Sequence, residues 1–228
     1  ENIKMEENKV LTQENEATEA AQPAKKKMNI FVKIILILVA AVAVLYIGFI
    51  AFIKITDITM DRKAKKAGMS MGSISDVFGG TDFDGNAITA ENLKSSKLTV
   101  LSIWATDCHW CIKEMPILTE LAQEYAPEDV QFIGVCDGSL GTKCNLMTGD
   151  QYDAFLAEAK QLAADNGGSG YTQMAPSSDF INQVINSVAV AHPCTIILDS
   201  EGNVLKVSMG YEEKPAWNTN IDTLLAGM

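Results

Sequence analysis

Two residues separate Cys108 from Cys111 in "IWATDCHWCIKEMP", residues 103–116, a stretch with two of the chain's five cysteines, one of its two histidines and two of its three tryptophans. The thiolate of cysteine is the nucleophile and the metal ligand. Such a pair therefore serves thiol–disulfide exchange, forms half of a metal site, or is inert core. The flanking elements bear on the choice. "KLTVLSIWA" before it is a continuous apolar run, expected as a strand buried on both faces. "CIKEMPILTELAQEY" after it places Ile112, Met115, Leu118, Leu121 and Ala122 at helical spacing, with Pro116 predicting a kink. The pair thus falls at a helix N-terminus, where unpaired N–H groups and about half a positive charge favour a thiolate. The first sulfur is expected at the exposed end, and the second one turn in, within reach to resolve a mixed disulfide. A metal site needs further ligands, for which His192 and Cys194 are the candidates; no resident metal or organic cofactor is expected.

The elements around the pair alternate. "FDGNAIT" carries a hairpin turn at Asp84-Gly85-Asn86. "VQFIGVC" is a second buried strand, "DQYDAFLAEAKQLAADNGG" a helix stopped by glycine, and "SDFINQVINSV" a helix capped by Ser178 or Asp179. "CTIILDSEGNVLKVSMG" is a hairpin turning at Glu201-Gly202-Asn203, and "PAWNTNIDTLLAGM" a closing helix. This order implies an α/β fold, a central mixed sheet flanked by helices.

Upstream, residues 34–53, "IILILVAAVAVLYIGFIAFI", contain no charged side chain. Twenty helical residues span about 30 Å, the thickness of a bilayer core. The run is longer than a signal-peptide core and no A-x-A site closes it, so an uncleaved single-pass anchor through the lipid bilayer is expected. The division read from the sequence is a disordered polar tail at 1–27, a transmembrane anchor at 28–53, a linker at 54–72 and a globular domain at 73–228. Met5 is a candidate initiator, since Glu1 is not one. Close to the run, four basic residues, Lys25, Lys26, Lys27 and Lys33, precede it and five, Lys54, Arg62, Lys63, Lys65 and Lys66, follow it, which leaves orientation open. Residues 1–72 carry a net charge of +3 and residues 73–228 one of −14. An acidic domain on a basic stalk excludes nucleic acid as the expected partner.

Residues 76–226 resemble the thioredoxin-like redoxins of the membrane-anchored TlpA/ResA type. The match runs from "DFDGNAITAENLKSSKLTVLSIWATDCHWCIKEMPIL" to "VAVAHPCTIILDSEGNVL", with W-A-T-x-C-x-x-C-x-x-E-M-P followed some eighty residues later by a proline before a strand. The resemblance implies a thioredoxin-like fold behind one transmembrane helix. It makes Cys108 the attacking and Cys111 the resolving cysteine, Pro193 the cis proline facing them, and Glu114 an acidic residue that helps move protons. It also implies a domain outside the cytoplasm, exported clients with disulfides (apocytochromes awaiting haem among the candidates) and a membrane electron donor that re-reduces the pair. Three positions depart from the family pattern: Trp110 replaces a common proline, Asp107 a common tryptophan, and His192 a small or β-branched residue. With His109, Trp110 and His192 are the expected tuners of redox poise. A peroxidase is not expected, because Thr106 stands two residues before Cys108 rather than three.

Cys136 and Cys144, separated by seven residues, could close a small disulfide in an oxidising compartment, while Cys194 reads as a core residue. The expected function is a membrane-tethered thiol–disulfide oxidoreductase acting more as a reductase. The alternatives are a copper- or zinc-handling module built on Cys108, Cys111 and His192, and a non-catalytic thioredoxin-like adaptor.

Overall fold

The computed structural model of the chain describes residues 29–139 and 141–228; the tail expected to be disordered, residues 1–27, lies outside them. Contacts divide the chain into residues 1–53 and residues 54–228. Helix α1 (Ile30–Met71) includes the apolar run, and its segment Ile30–Thr56 is the one helix among the described residues long and apolar enough to cross a membrane. Its large side chains, Phe31, Leu38, Leu45 and Phe52 among them, are exposed on every face. A helix in water would hide such groups, so the segment fits a membrane anchor. The stretch 54–72, read as a linker, continues this helix as far as Met71. It contains no proline, and Gly72 ends it with a positive φ of 66°.

Residues beyond the helix build a seven-stranded mixed sheet. In chain order the elements are β1 (Gly79–Asp82), β2 (Ala87–Thr89), α2 (Ala90–Leu93), β3 (Leu98–Trp104), α3 (His109–Tyr125), β4 (Val130–Cys136), β5 (Gly138–Ser139) and β6 (Thr142–Lys143). There follow α4 (Asp150–Asp165), β7 (Thr172–Pro176), the helical segment α5 made of Ser178–Phe180, a π turn Ile181–Ile185 and Asn186–Val188, then β8 (Cys194–Asp199), β9 (Val204–Met209) and α6 (Lys214–Leu225). The sheet order is β2-β1-β7-β4-β3-β8-β9, and β5 and β6 pair separately. β3 runs parallel to β4 and antiparallel to β8.

β3 is buried along its whole length, which is why it reads as an unbroken apolar run. Leu101 and Ile103 pack on one face with Met115, Phe155 and Phe180. Leu98 and Val100 pack on the other with Leu118, Leu121, Trp217 and Ile221. The two-residue period of a strand feeds both layers. The structure also differs from the sequence reading in its details. β7 was not foreseen, because "TQMAP" is short and mixed in polarity. α5 is capped one residue early, by the Ser177 hydroxyl, which accepts from the Phe180 N–H at 3.2 Å.

Candidate active site

The backbone between β3 and α3 places the cysteines at the sheet's carboxyl edge. Cys108 is the N-cap of α3, and its sulfur accepts the Cys111 N–H at 3.2 Å. The two sulfurs are joined in a disulfide. Cys108 is partly exposed, while Cys111 is only 3% exposed. The helix field and this N–H both point at the Cys108 sulfur, so on reduction they stabilise its thiolate.

Cys108 opens onto a groove of about 530 Å³ that also includes Trp110, Asp137, Lys143, Ala191 and His192 among its walls. The His192–Pro193 peptide is cis, and buried Pro193 accepts the Gly210 N–H through its carbonyl at 2.8 Å. His192 Nε2 stands 3.1 Å from Asp137 Oδ1 and 3.2 Å from Oδ2. Lys143 pairs with the same carboxylate at Oδ2. A metal site of the kind considered above would need His192 beside the two sulfurs. Its Nε2 faces Asp137 instead, and among the described residues no group of three or more His, Cys, Asp or Glu is placed to hold a metal ion.

Glu114 follows Cys111 by nearly one helical turn and is 1% exposed. Its Oε1 accepts the Glu212 N–H at 2.9 Å. The Trp217 indole N–H lies toward the same carboxyl but short of hydrogen-bond geometry, so Glu114 Oε2 and Trp217 Nε1 both stay unpaired. Burial, opposed by the Glu212 N–H and Trp217, raises the carboxyl from 4.5 to about 7. A carboxyl that titrates near neutrality can both hold and release a proton.

The remaining expected residues divide. Trp110 is 52% exposed and packs against the Tyr211 ring at 5.5 Å, with Lys113 Nζ 5.1 Å from its centroid and 4.4 Å from that of Tyr211. His109 is exposed, 5.7 Å from the Trp110 ring. Trp104 is core: its indole N–H donates to Gln173 Oε1 at 3.0 Å beneath the site. Cys136 and Cys144, expected to bridge, are free buried thiols, and the buried Cys194 sulfur faces the Val188 carbonyl at 3.9 Å. The Cys136 sulfur faces the Gly138 carbonyl and the Cys144 sulfur that of Pro176, each at 4.0 Å. Burial pushes the Cys136 thiol well up and the Cys144 thiol to about 11. β3 separates Cys136, paired with Trp104, from Cys194, paired with Ile103.

Asp137 and Lys143 are the groove residues the sequence reading missed. The available signal was an acidic residue directly after a buried parallel strand, at the carboxyl edge where α/β sheets bind ligands.

The Redoxin family model matches residues 66–225. The thiol-disulfide oxidoreductases ResA of Bacillus cereus and of Bacillus anthracis are each 27% identical over 153 residues, 66% of this chain and 76% of theirs. Among solved structures, a thiol:disulfide interchange protein from Bacteroides sp. aligns with a TM-score of 0.50 at 21% identity, over 66% of this chain and 88% of that one. A thioredoxin-like protein from Aeropyrum pernix also gives a TM-score of 0.50, at 17% identity over 64% and 89%. These two share the thioredoxin-like fold. The chain belongs to the Redoxin family, with ResA thiol-disulfide oxidoreductases among its relatives.

Proposed function

We propose that this chain is a membrane-tethered thiol–disulfide oxidoreductase, with residues 73–228 as its catalytic domain, working outside the cytoplasm and mainly as a reductase of exported clients, apocytochromes included. The observation that carries the reading is the asymmetry of the pair: Cys108 is partly exposed at the N-cap of α3 beside a groove, and Cys111 is buried one turn in. In the reduced enzyme the Cys108 thiolate attacks a client disulfide. A Cys108–client bond forms as the client's S–S bond breaks, and the departing sulfur takes a proton. Cys111 then attacks Cys108, closing the disulfide and releasing the client as a dithiol. A membrane dithiol donor returns the two electrons. Full-length protein in detergent, reduced beforehand, should exchange with a model disulfide; no exchange would favour the adaptor reading.

In this reading the tail lies inside the cell and the domain outside, an orientation the family resemblance supports. A membrane-impermeant thiol reagent added to intact, mildly reduced cells should label the domain. Labelling only after lysis would overturn the orientation.

His192 tunes the pair in this reading. An imidazolium on the wall of the Cys108 groove favours thiolate over thiol and so stabilises the reduced form. His192→Thr should therefore have a more negative reduction potential, by on the order of 30 mV, a tenfold change for a two-electron couple. An unchanged potential would remove His192 from the redox machinery.

A further inference from the structure

We propose that Asp137 is a positioning residue for exchange: its buried carboxylate fixes the His192 imidazole, with Lys143 as its second partner, so that His192 carries the Cys108 proton. This rests on the exchange function proposed above and assigns a role to a residue outside the cysteine–proline–glutamate set.

Asp137 follows directly from β4 and is 1% exposed. Its backbone is held at both ends: its N–H donates to the Trp104 carbonyl at 3.1 Å, and its carbonyl accepts the Cys144 N–H at 2.8 Å. The side chain cannot follow solvent. An isolated carboxylate at such depth is unfavourable, and one that persists needs cationic partners. Two are present, on different segments. Lys143 comes from β6, and His192 from the residue before the cis proline. The carboxylate thus ties the β5–β6 hairpin to the Pro193 loop, and both line the groove beside Cys108.

The chemistry follows from the donor inventory. An ionised carboxylate only accepts, so His192 Nε2 carries a hydrogen and donates it to Asp137. The tautomer is then set, and Nδ1 is the ring atom left to exchange a proton. In the step proposed, the Cys108 S–H proton passes to Nδ1. The sulfur lone pair forms the Cys108–client bond as the client disulfide breaks, and the departing client sulfur receives a proton that the imidazolium returns. Two electrons leave the Cys108–Cys111 dithiol when Cys111 completes the exchange, and the dithiol donor proposed above returns them.

Among the described residues, few other charged or titratable groups line the groove with His192. Asp107, Cys108 and His109 line the groove from the start of α3, with Asp107 and His109 exposed. The thiols of Cys136 and Cys144 feel Asp137 from the core side, and burial keeps both neutral. Asp137 and Lys143 therefore dominate the local field, with opposite signs.

That opposition supplies the test. Exchange between full-length reduced protein in detergent and dithiobis-nitrobenzoate is followed against pH for wild type, Asp137→Asn, Lys143→Met, His192→Thr and the double variant Asp137→Asn with His192→Thr. Asn preserves the shape of Asp137, and Lys143 is partly exposed, so both folds are expected to persist. The imidazole limb of the profile should move to lower pH in Asp137→Asn, because the carboxylate that favours the imidazolium is gone. It should move to higher pH in Lys143→Met and vanish in His192→Thr, and the double variant should match His192→Thr. A limb at the wild-type pH in Asp137→Asn, shifts of the same sign in both charge variants, a wild-type profile in His192→Thr, or an Asp137→Asn effect that survives loss of His192 would each overturn the proposal. None of these outcomes requires loss of exchange itself, which is read separately from Cys108→Ser.

Discussion

Cys108→Ser abolishes disulfide exchange, and Cys111→Ser accumulates mixed disulfides between Cys108 and its clients. The asymmetry rests on position. The sulfur of residue 108 is partly exposed and receives the N–H of Cys111 at the helix terminus. That of residue 111 is buried among Met115, Trp104 and the strands. Serine at 108 removes the only sulfur of the pair a client can approach, and an alcohol at neutral pH is a far weaker nucleophile than a thiolate. Serine at 111 leaves attack intact and removes the group that resolves the adduct. The measurement is non-reducing electrophoresis of each variant isolated from cells under thiol-blocking conditions, with exchange rates in parallel. Adducts on Cys108→Ser and none on Cys111→Ser would reverse the roles.

Glu114→Gln gains stability relative to wild type as pH rises, while exchange slows. The Glu114 carboxyl titrates at about 7 rather than 4.5, chiefly because burial disfavours its charge. A folded value raised above the unfolded one means that the native protein holds this proton longer. The stability associated with the protonated form is therefore fully present below pH 4.5, declines as pH rises, and is gone above about pH 7. Glutamine cannot ionise and escapes the decline. The stability difference between variant and wild type should grow by about 3 kcal/mol from pH 4 to pH 8. Comparing two pH values cancels any constant effect of the new amide. In a domain of this size that is roughly 5–10 °C in the denaturation midpoint at pH 8 relative to pH 4. Exchange should fall by about a hundredfold, the low end for loss of a positioned acid or base. Calorimetry at the two pH values and a model-disulfide assay read the two effects. A stability difference independent of pH would show that the carboxyl is not desolvated; unchanged exchange would confine Glu114 to structure.

These two predictions rest on different levels of information. The Cys108–Cys111 pair was legible because its surroundings are local. The β3 run, the helix spacing from Ile112 to Ala122 and the intervening C-x-x-C lie within a few turns of one another, and side-chain periodicity writes them directly into the chain. The apolar run at 34–53 is legible for the same reason, since length and lack of charge are properties of one segment. Glu114 was only half legible. Its spacing from Cys111 marked it, but helical position alone could not separate a solvated face from a buried one. Its burial depends on Glu212 and Trp217, about a hundred residues later, where the chain enters α6 and lays that helix against α3.

The Asp137 cluster shows what tertiary structure alone decided. Asp137, Lys143 and His192 share no period, and the imidazole lies fifty-five positions after the carboxylate. They meet because β4 and β8 flank β3 on opposite sides, so the residue after β4 and the residue before Pro193 arrive at one edge of the sheet beside Cys108. Strand order is a consequence of packing the whole sheet between two apolar layers, and no local pattern encodes it. The cysteines at 136 and 144 make the same point from the other side. Seven intervening residues made a bridge sterically reasonable, but the fold turns one sulfur toward Gly138 and the other toward Pro176. Sequence by itself determined the buried strands β3, β4 and β8, which helix could enter a membrane and where the reactive pair sits. The three-dimensional pairing decided which charges face that pair, because electrostatic contact depends on distance through space and not along the chain.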